Sequence, residues 1–163
     1  MFFRKSKGLD LLVLGAGRGG TSLISSLLDA HPQLEVALEE HAPKYLVQPD
    51  LLKFPTAQEQ LKAFVAACDK DARISKLRYG NKITTEQLGF VEDFGKDLIA
   101  RGQIRDLLMK DRKVVFIVRD GRTCISSKLE RTGVDYATAL GYWRHSVDLL
   151  HYFQSENVDL HLL

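Results

Sequence analysis

Two uninterrupted apolar runs stand out in the hydrophobic pattern of this chain. One covers Leu11–Leu14 and the other Val114–Val118, and each has the composition of a strand buried on both faces of a parallel sheet. Shorter strand candidates are Leu34–Leu38 and, at the end of the sequence, Val158–Leu163. The intervals between these strands are long enough to hold helices.

Helical periodicity fills most of those intervals. The clearest helix start is Thr56-x-x-Glu59, a capping box in front of apolar residues at helical spacing. We predict helices from Thr21 to near Ala30, over Ala57–Lys70, from Thr84 or Thr85 through Phe94, over Thr123–Leu129 and over Tyr136–Gln154, with one or two helical turns in Pro43–Phe54. The interval Ala72–Lys82 is assigned to a polar, basic connection. This alternation predicts an α/β fold in three layers, with a central parallel sheet flanked by helices.

The first apolar strand is followed by a glycine-rich turn that fits two nucleotide-binding signatures. Gly15-x-Gly17-x-x-Gly20 matches the dinucleotide fingerprint, and the Walker spacing also fits except that Thr21 stands where its lysine belongs. In both cases a strand, a tight turn and a helix N-terminus form a phosphate site. The absent lysine disfavours an ordinary NTPase, although Arg18 offers a cation from inside the loop.

Charged residues follow two other predicted strands. A P-loop NTPase needs an acidic residue after the second apolar strand to hold magnesium, whereas this chain has Arg119 there, which predicts a second phosphate site in place of a metal. Glu39 and Glu40 follow the strand Leu34–Leu38, and ligands bind at the carboxyl ends of parallel strands. This acidic pair belongs either to a ligand cleft or to a solvated loop. No residues have metal-ligand spacing, so we expect no metal.

Composition and charge narrow the functional class. The chain of 163 residues is 45% hydrophobic and 27% charged with a net charge of +2, which fits one globular domain and gives no support for nucleic-acid binding. No segment approaches the roughly 20 apolar residues of a membrane span, and the N-terminus lacks the apolar core of a signal peptide. Cys68 and Cys124 stand alone in apolar helical contexts, which is typical of buried free thiols. We therefore expect a cytoplasmic protein.

Together these motifs resemble those of the sulfotransferases that use 3′-phosphoadenosine 5′-phosphosulfate (PAPS). The 5′-phosphosulfate loop of that family is an Arg-Ser-Gly-Thr segment before an apolar helix and often His-Pro, and Arg18–Ser22 and Leu27–Pro32 are similar. The family's 3′-phosphate motif is an apolar strand, an Arg-Asp-Gly-Arg segment and a later serine, which Arg119–Arg122 and Ser127 match. The tyrosylprotein sulfotransferases and their bacterial relatives are most similar, because they also have Leu-Asp-Ala-His-Pro and an acidic pair.

The resemblance implies PAPS as the sulfuryl donor and a P-loop-like fold. The 3′-phosphate would be held by Arg119 and Ser127. The 5′-phosphosulfate would be held by Gly17, Arg18, Gly19, Gly20, Thr21 and Ser22. The partners would be PAPS, its product adenosine 3′,5′-bisphosphate, and an acceptor with a hydroxyl or amine group.

The resemblance also implies catalytic roles. Arg18 would offset charge on the bridging oxygen as the sulfuryl group leaves. Glu39 or Glu40 would be the general base for the acceptor hydroxyl. Lys82, in the segment Gly80-Asn81-Lys82, would stabilise the transferring sulfuryl group.

The resemblance spans nearly all of this chain but only part of a typical sulfotransferase domain. We expect residues 1–163 to be a single sulfotransferase-like domain without its C-terminal portion, with weak activity or none and a tendency to form a homo-oligomer. Two other functions stay open. The glycine fingerprint and Glu39 also fit a Rossmann-type NAD(P)-dependent oxidoreductase, and an incomplete domain also fits a non-catalytic nucleotide-binding fragment.

Overall fold

The computed structural model describes residues 8–75, 77–95 and 98–163, and within these ranges its centre is a parallel sheet of five strands in the order β2-β3-β1-β4-β5. The strands are β1 (Leu9–Gly15), β2 (Leu34–Leu38), β3 (Arg78–Lys82), β4 (Lys113–Ile117) and β5 (Leu160–Leu162). The helices are α1 (Thr21–Asp29), α2 (Ala57–Ile74), α3 (Thr85–Gly95), α4 (Leu98–Gln103), α5 (Gly121–Thr132) and α6 (Tyr136–Ser155). Short π-helical segments cover Pro43–Val47 and Ile104–Met109.

The helices pack on both faces of the sheet, which confirms the predicted α/β fold. Alternate residues of β1 and β4 divide between two apolar clusters because successive side chains of a strand point to opposite faces. Leu12 and Phe116 belong to the larger cluster, together with apolar residues of α2, α3 and α6. Leu11 and Ile117 belong to a smaller cluster, which the inward side of α1 covers.

The strand β3 was missed, because Arg78–Lys82 was assigned to a polar connection. This strand lies between β2 and β1 and is buried from Tyr79 to Lys82. Its side-chain donors are tolerated there because they have partners: the Asn81 amide donates to the carbonyl of Glu40 over 2.8 Å, and Lys82 forms an ion pair with Glu39. Hydrophobicity therefore fails as a signal for a strand that carries site residues.

The predicted helix starts are largely confirmed. Both hydrogen bonds of the Thr56–Glu59 capping box are present, and α2 continues past its predicted end to Ile74. The helix α5 begins earlier than predicted, because the Asp120 carboxylate accepts the amides of Arg122 and Thr123. Capping residues and periodicity thus located the helices, and the structure extends α2 and α5 a few residues beyond their predicted bounds.

Three further features bear on the functional alternatives. The dinucleotide-binding fold orders its strands 3-2-1-4-5-6, whereas here β3 separates β2 from β1, so the sheet does not have the Rossmann topology.

Cys68 and Cys124 are buried free thiols, as predicted. In the part of the chain that the structure describes, no helix combines the length and apolarity needed to cross a membrane.

Candidate active site

The predicted site residues all lie at one edge of the sheet. The glycine loop follows β1, Glu39 follows β2, Lys82 ends β3 and Arg119 lies just after β4. Because the four strands are parallel, their carboxyl ends meet at this edge, which is where open α/β sheets bind ligands. The fold thus brings together residues that are far apart in sequence.

The glycine loop ends in a helix N-terminus suited to an anion. Gly20 precedes α1 with a φ of 99°, a left-handed conformation that favours glycine. No side chain caps α1, and its first turn contains no acidic residue, so its orphan amides are left for a ligand. Thr21 is buried and Ser22 is exposed at the start of this helix. The amides of the first turn and the helix dipole therefore favour an anion at this position.

The loop also has internal hydrogen bonds that the sequence did not predict. The amide of Gly19 donates to the carbonyl of Ala16 over 2.9 Å, which closes a tight turn. The amide of Gly17 donates to both carboxylate oxygens of Glu86, each at 2.9 Å. These two glycines therefore shape the loop, and their amides point to protein acceptors.

The two phosphate motifs meet at Arg18. The Arg18 Nε donates to the Ser127 Oγ over 3.1 Å. The Arg119 Nη1 lies 3.5 Å from the carbonyl oxygen of Arg18. Arg18 and Arg119 are 101 positions apart in the sequence, and both are exposed at the surface. The structure thus places two guanidinium groups and a hydroxyl beside the N-terminus of α1.

The backbone of Arg119 is held by a tryptophan of α6. The Trp143 Nε1 donates to the Arg119 carbonyl over 3.1 Å, and its ring is only partly buried. A cleft of about 490 Å³ lies here, with Ile125 and Tyr136 also in its wall. The helix α6 therefore lines this cleft as well as packing in the core.

The neighbouring Arg122 has a different role from Arg119. It forms an ion pair with Asp120 at 3.0 Å, and its side chain is 93% exposed. The hydrogen bond from Arg122 holds the pKa of the Asp120 carboxyl below its usual range, which keeps the N-cap of α5 ionised. The two arginines of this turn therefore form a matched pair for mutation, since only Arg119 contacts the glycine loop.

Glu39 and Lys82 form the second cluster of the site. The Lys82 side chain is 5% exposed, and its Nζ donates to Oε1 of Glu39 in a close ion pair. The other carboxylate oxygen of Glu39 accepts from Gln87 over 2.7 Å, and the Glu39 backbone has a φ of 60°. A strained backbone and two donors fix this carboxylate at the end of β2.

The structure distinguishes the two candidate bases. Glu40 is exposed, and its carbonyl oxygen is bonded to Asn81, while the Glu39 carboxylate faces Lys82. The two acidic residues were equivalent in the sequence because they are adjacent. That one of these two residues is the general base stays a prediction.

Sequence reasoning missed Glu86, Gln87 and Lys128. Glu86 and Gln87 lie in the first turn of α3, where acidic and amide side chains are ordinary, so the pattern carried no signal. Lys128 follows Ser127 directly, which was the one available hint. Within residues 8–75, 77–95 and 98–163, no group of three His, Cys, Asp or Glu side chains could hold a metal ion, and metal independence stays a prediction.

A slightly larger cleft lies at the opposite edge of the sheet. It has a volume of about 540 Å³ and contains the ion pairs Arg105–Glu156 and Lys113–Asp159. It lies at the amino ends of the strands, away from every predicted site residue. Because its charges largely neutralise one another, we assign the functional site to the carboxyl edge.

No protein-family model matches this chain. A protein-tyrosine sulfotransferase of Drosophila melanogaster is 24% identical over 158 residues, which cover 86% of this chain and 30% of that protein. The chain thus spans about 30% of the length of the curated relative it matches. Among solved structures, the deoxyadenosine kinase of M. mycoides with bound dATP has a TM-score of 0.50 at 12% identity, over 95% of this chain and 90% of that one. An uncharacterised protein from Eubacterium ventriosum has a TM-score of 0.48 at 16% identity, over 95% and 86% of the two chains.

These similarities agree with the geometry at a coarse level. The kinase shares the fold, which is an α/β fold of the P-loop-like type with a central parallel sheet. The fruit-fly enzyme supports a distant sulfotransferase-like relationship over most of the chain. The chain is therefore similar to nucleotide-dependent transferases.

Proposed function

We propose that this chain binds PAPS at the carboxyl edge of its sheet and takes part in transfer of a sulfuryl group to a hydroxyl or amine acceptor. The observation that carries the proposal is the meeting of Arg18, Ser127 and Arg119 beside the N-terminus of α1. Neither motif alone is specific, since glycine loops and arginine turns are common. Their contact brings two anion-binding elements together at one site.

The donor atoms at this edge fit a ligand with two anionic groups. The first-turn amides of α1 and the Arg18 guanidinium would hold the 5′-phosphosulfate, and Arg119 and Ser127 would hold the 3′-phosphate. A carboxylate cap on α1 would repel an anion at this position, and α1 has no such cap. When bound, PAPS supplies the sulfuryl group.

The chain's own proton acceptor is Glu39 in this proposal. The Glu39 carboxylate takes the proton of the acceptor hydroxyl, and Lys82 and Gln87 orient that carboxylate. Protonation of Glu39 weakens its attraction to Lys82, which leaves the ammonium charge available to the group being transferred. The ion pair thus couples proton uptake to electrostatic stabilisation, and it requires no metal.

We propose that residues 1–163 act as one domain in the cytoplasm, where the acceptor is not a nucleic acid. The Rossmann oxidoreductase alternative loses support because the strand order differs and because Glu39 is engaged by Lys82. A nucleotide-binding module without catalysis would keep the phosphate site and lack the function of Glu39.

A pair of arginine variants tests the phosphate assignment. We expect Arg119→Ala to weaken binding of adenosine 3′,5′-bisphosphate by about ten- to a hundredfold, since charge-assisted hydrogen bonds contribute about 1.5–3 kcal/mol each. Affinity for AMP should barely change, because AMP has no 3′-phosphate. Arg122→Ala is the matched control and should leave both affinities within about twofold, since its partner is Asp120. If Arg119→Ala lowers the affinity for both nucleotides equally, the assignment of the 3′-phosphate to Arg119 is wrong.

A further inference from the structure

A buried ion pair lies directly against the glycine loop. Glu86, which is 7% exposed, accepts the Gly17 amide with both carboxylate oxygens. Lys128 donates to the same carboxylate over 2.7 Å, and its side chain is 15% exposed. The loop, α3 and α5 are thus joined by one charged network.

Lys128 is fixed in place by further contacts. Its Nζ lies 4.6 Å from the ring centroid of Tyr142 on α6, a cation–π geometry. A Cβ added at Gly17 would lie 2.7 Å from the Glu86 Oε1 and 3.0 Å from the Lys128 Nζ. A side chain at position 17 would therefore displace the Glu86 carboxylate and the Lys128 ammonium from their present positions.

The location of Glu86 creates an electrostatic conflict. A carboxylate beside a phosphate loop repels the anion that the loop binds, and this repulsion is strong where water is excluded. Lys128 resolves the conflict because it cancels the charge of Glu86 without removing its hydrogen bonds to Gly17. The loop thereby keeps both its geometry and its positive potential.

We propose that Glu86 and Lys128 are a positioning pair of the anion loop, in which Glu86 fixes the backbone at Gly17 and Lys128 neutralises Glu86. Lys128 acts through Glu86 and does not itself contact the bound anion. The proposal rests on the proposed function only for the identity of that anion. The proposal predicts that removing the positive charge of Lys128 weakens anion binding, whereas removing the negative charge of Glu86 does not.

The test measures the affinity of inorganic pyrophosphate and of adenosine 3′,5′-bisphosphate in four variants. Lys128→Met leaves the Glu86 charge uncompensated and should weaken pyrophosphate binding by about ten- to a hundredfold, the effect of one nearby charge in a partly buried site. Glu86→Gln removes the repulsion and keeps one acceptor oxygen for the Gly17 amide, so this variant should bind pyrophosphate as tightly as the wild type or more tightly. The double variant should return to within about threefold of wild type. Lys128→Arg keeps the charge and should retain most of the affinity.

Other outcomes overturn either the pair or the identity of the nucleotide. Equal losses in Lys128→Met and in the double variant would mean that Lys128 contacts the anion directly. Unchanged affinity in every variant would mean that the network only supports the fold. If Lys128→Met does not fold, a loss of tenfold or more in Glu86→Gln contradicts the proposal by itself. If the changes in pyrophosphate affinity have the expected directions but the bisphosphate does not bind, the role of the pair stands and the proposed nucleotide ligand is wrong. If the folded wild type does not bind pyrophosphate, the proposed role of the pair is wrong.

Discussion

The ion pair between Glu39 and Lys82 permits a prediction that separates its role in folding from its role in catalysis. Each Glu39 oxygen accepts from one donor, Lys82 on one side and Gln87 on the other. Glu39→Gln replaces one acceptor oxygen by an NH₂ group, so one donor must face another donor. The Lys82 side chain, 5% exposed, also loses the anion that compensates it.

The expected loss of stability follows from this burial. Breaking a fully buried pair costs about 3–5 kcal/mol, but the Glu39 side chain is 37% exposed and water can replace part of the interaction. We therefore expect the free energy of unfolding of Glu39→Gln to fall by about 1–3 kcal/mol. In a chain of this length that loss lowers Tm by about 2–12 °C. Glu40→Gln is the matched control and should stay within about 0.5 kcal/mol of wild type.

Urea unfolding and thermal melting measure the two variants, and a third variant checks the cause. Glu39→Gln with Lys82→Met removes both charges, so it should recover part of the lost stability. Where transfer activity is measurable, Glu39→Gln should lower the rate by about 10²–10⁴-fold and Glu40→Gln should not. Equal stability of the two single variants would refute the structural argument. Equal transfer rates would refute the assignment of the base to Glu39.

Three further properties can be checked directly. Burial raises the pKa of the Cys68 thiol to about 11 and also raises that of Cys124, so thiol reagents at pH 8 should label both residues in urea and neither in the folded protein; rapid labelling of the folded protein would contradict this burial. Burial opposes ionisation of Glu92, but its contacts with His145 and Arg101, each at 3.2 Å, outweigh burial and hold the pKa of Glu92 below its usual range. The stability advantage of wild type over Glu92→Gln should therefore be present at pH 7 and disappear as the pH falls through the lowered pKa, and a gap that persists in acid would argue against these contacts. Gly141 lies in α6 with open space around it, so Gly141→Ala should raise the free energy of unfolding by about 0.4–1 kcal/mol in denaturant titration, and a loss would indicate an unseen contact.

The sequence predicts those parts of the molecule whose signals are local. The apolar strands β1 and β4 and the capped helix α2 follow from hydrophobicity and from Thr56 and Glu59. The strand β3 does not, because its stability depends on neighbours on both sides and on partners for Asn81 and Lys82. A polar central strand has no local signature, since its partners are distant in sequence.

The same distinction applies to the site. Residue types and spacing indicated Arg18, Arg119 and Ser127, and the parallel sheet then brought them into contact. The network of Glu86 and Lys128 was not predictable, because an acid in the first turn of a helix usually interacts with the helix itself. Only the fold shows that its carboxylate accepts a loop amide.

We propose that the carboxyl edge of the sheet binds a nucleotide with both a 5′ and a 3′ anionic group. The chain's single tryptophan, Trp143, donates to the Arg119 carbonyl, so its fluorescence reports on the site. We predict that binding of adenosine 3′,5′-bisphosphate quenches or shifts this fluorescence, with an affinity at least tenfold higher than that of AMP or NAD. A chelator should leave the affinity for the bisphosphate unchanged. Tighter binding of NAD than of the bisphosphate, or tighter binding of dATP that requires magnesium, would refute this proposal.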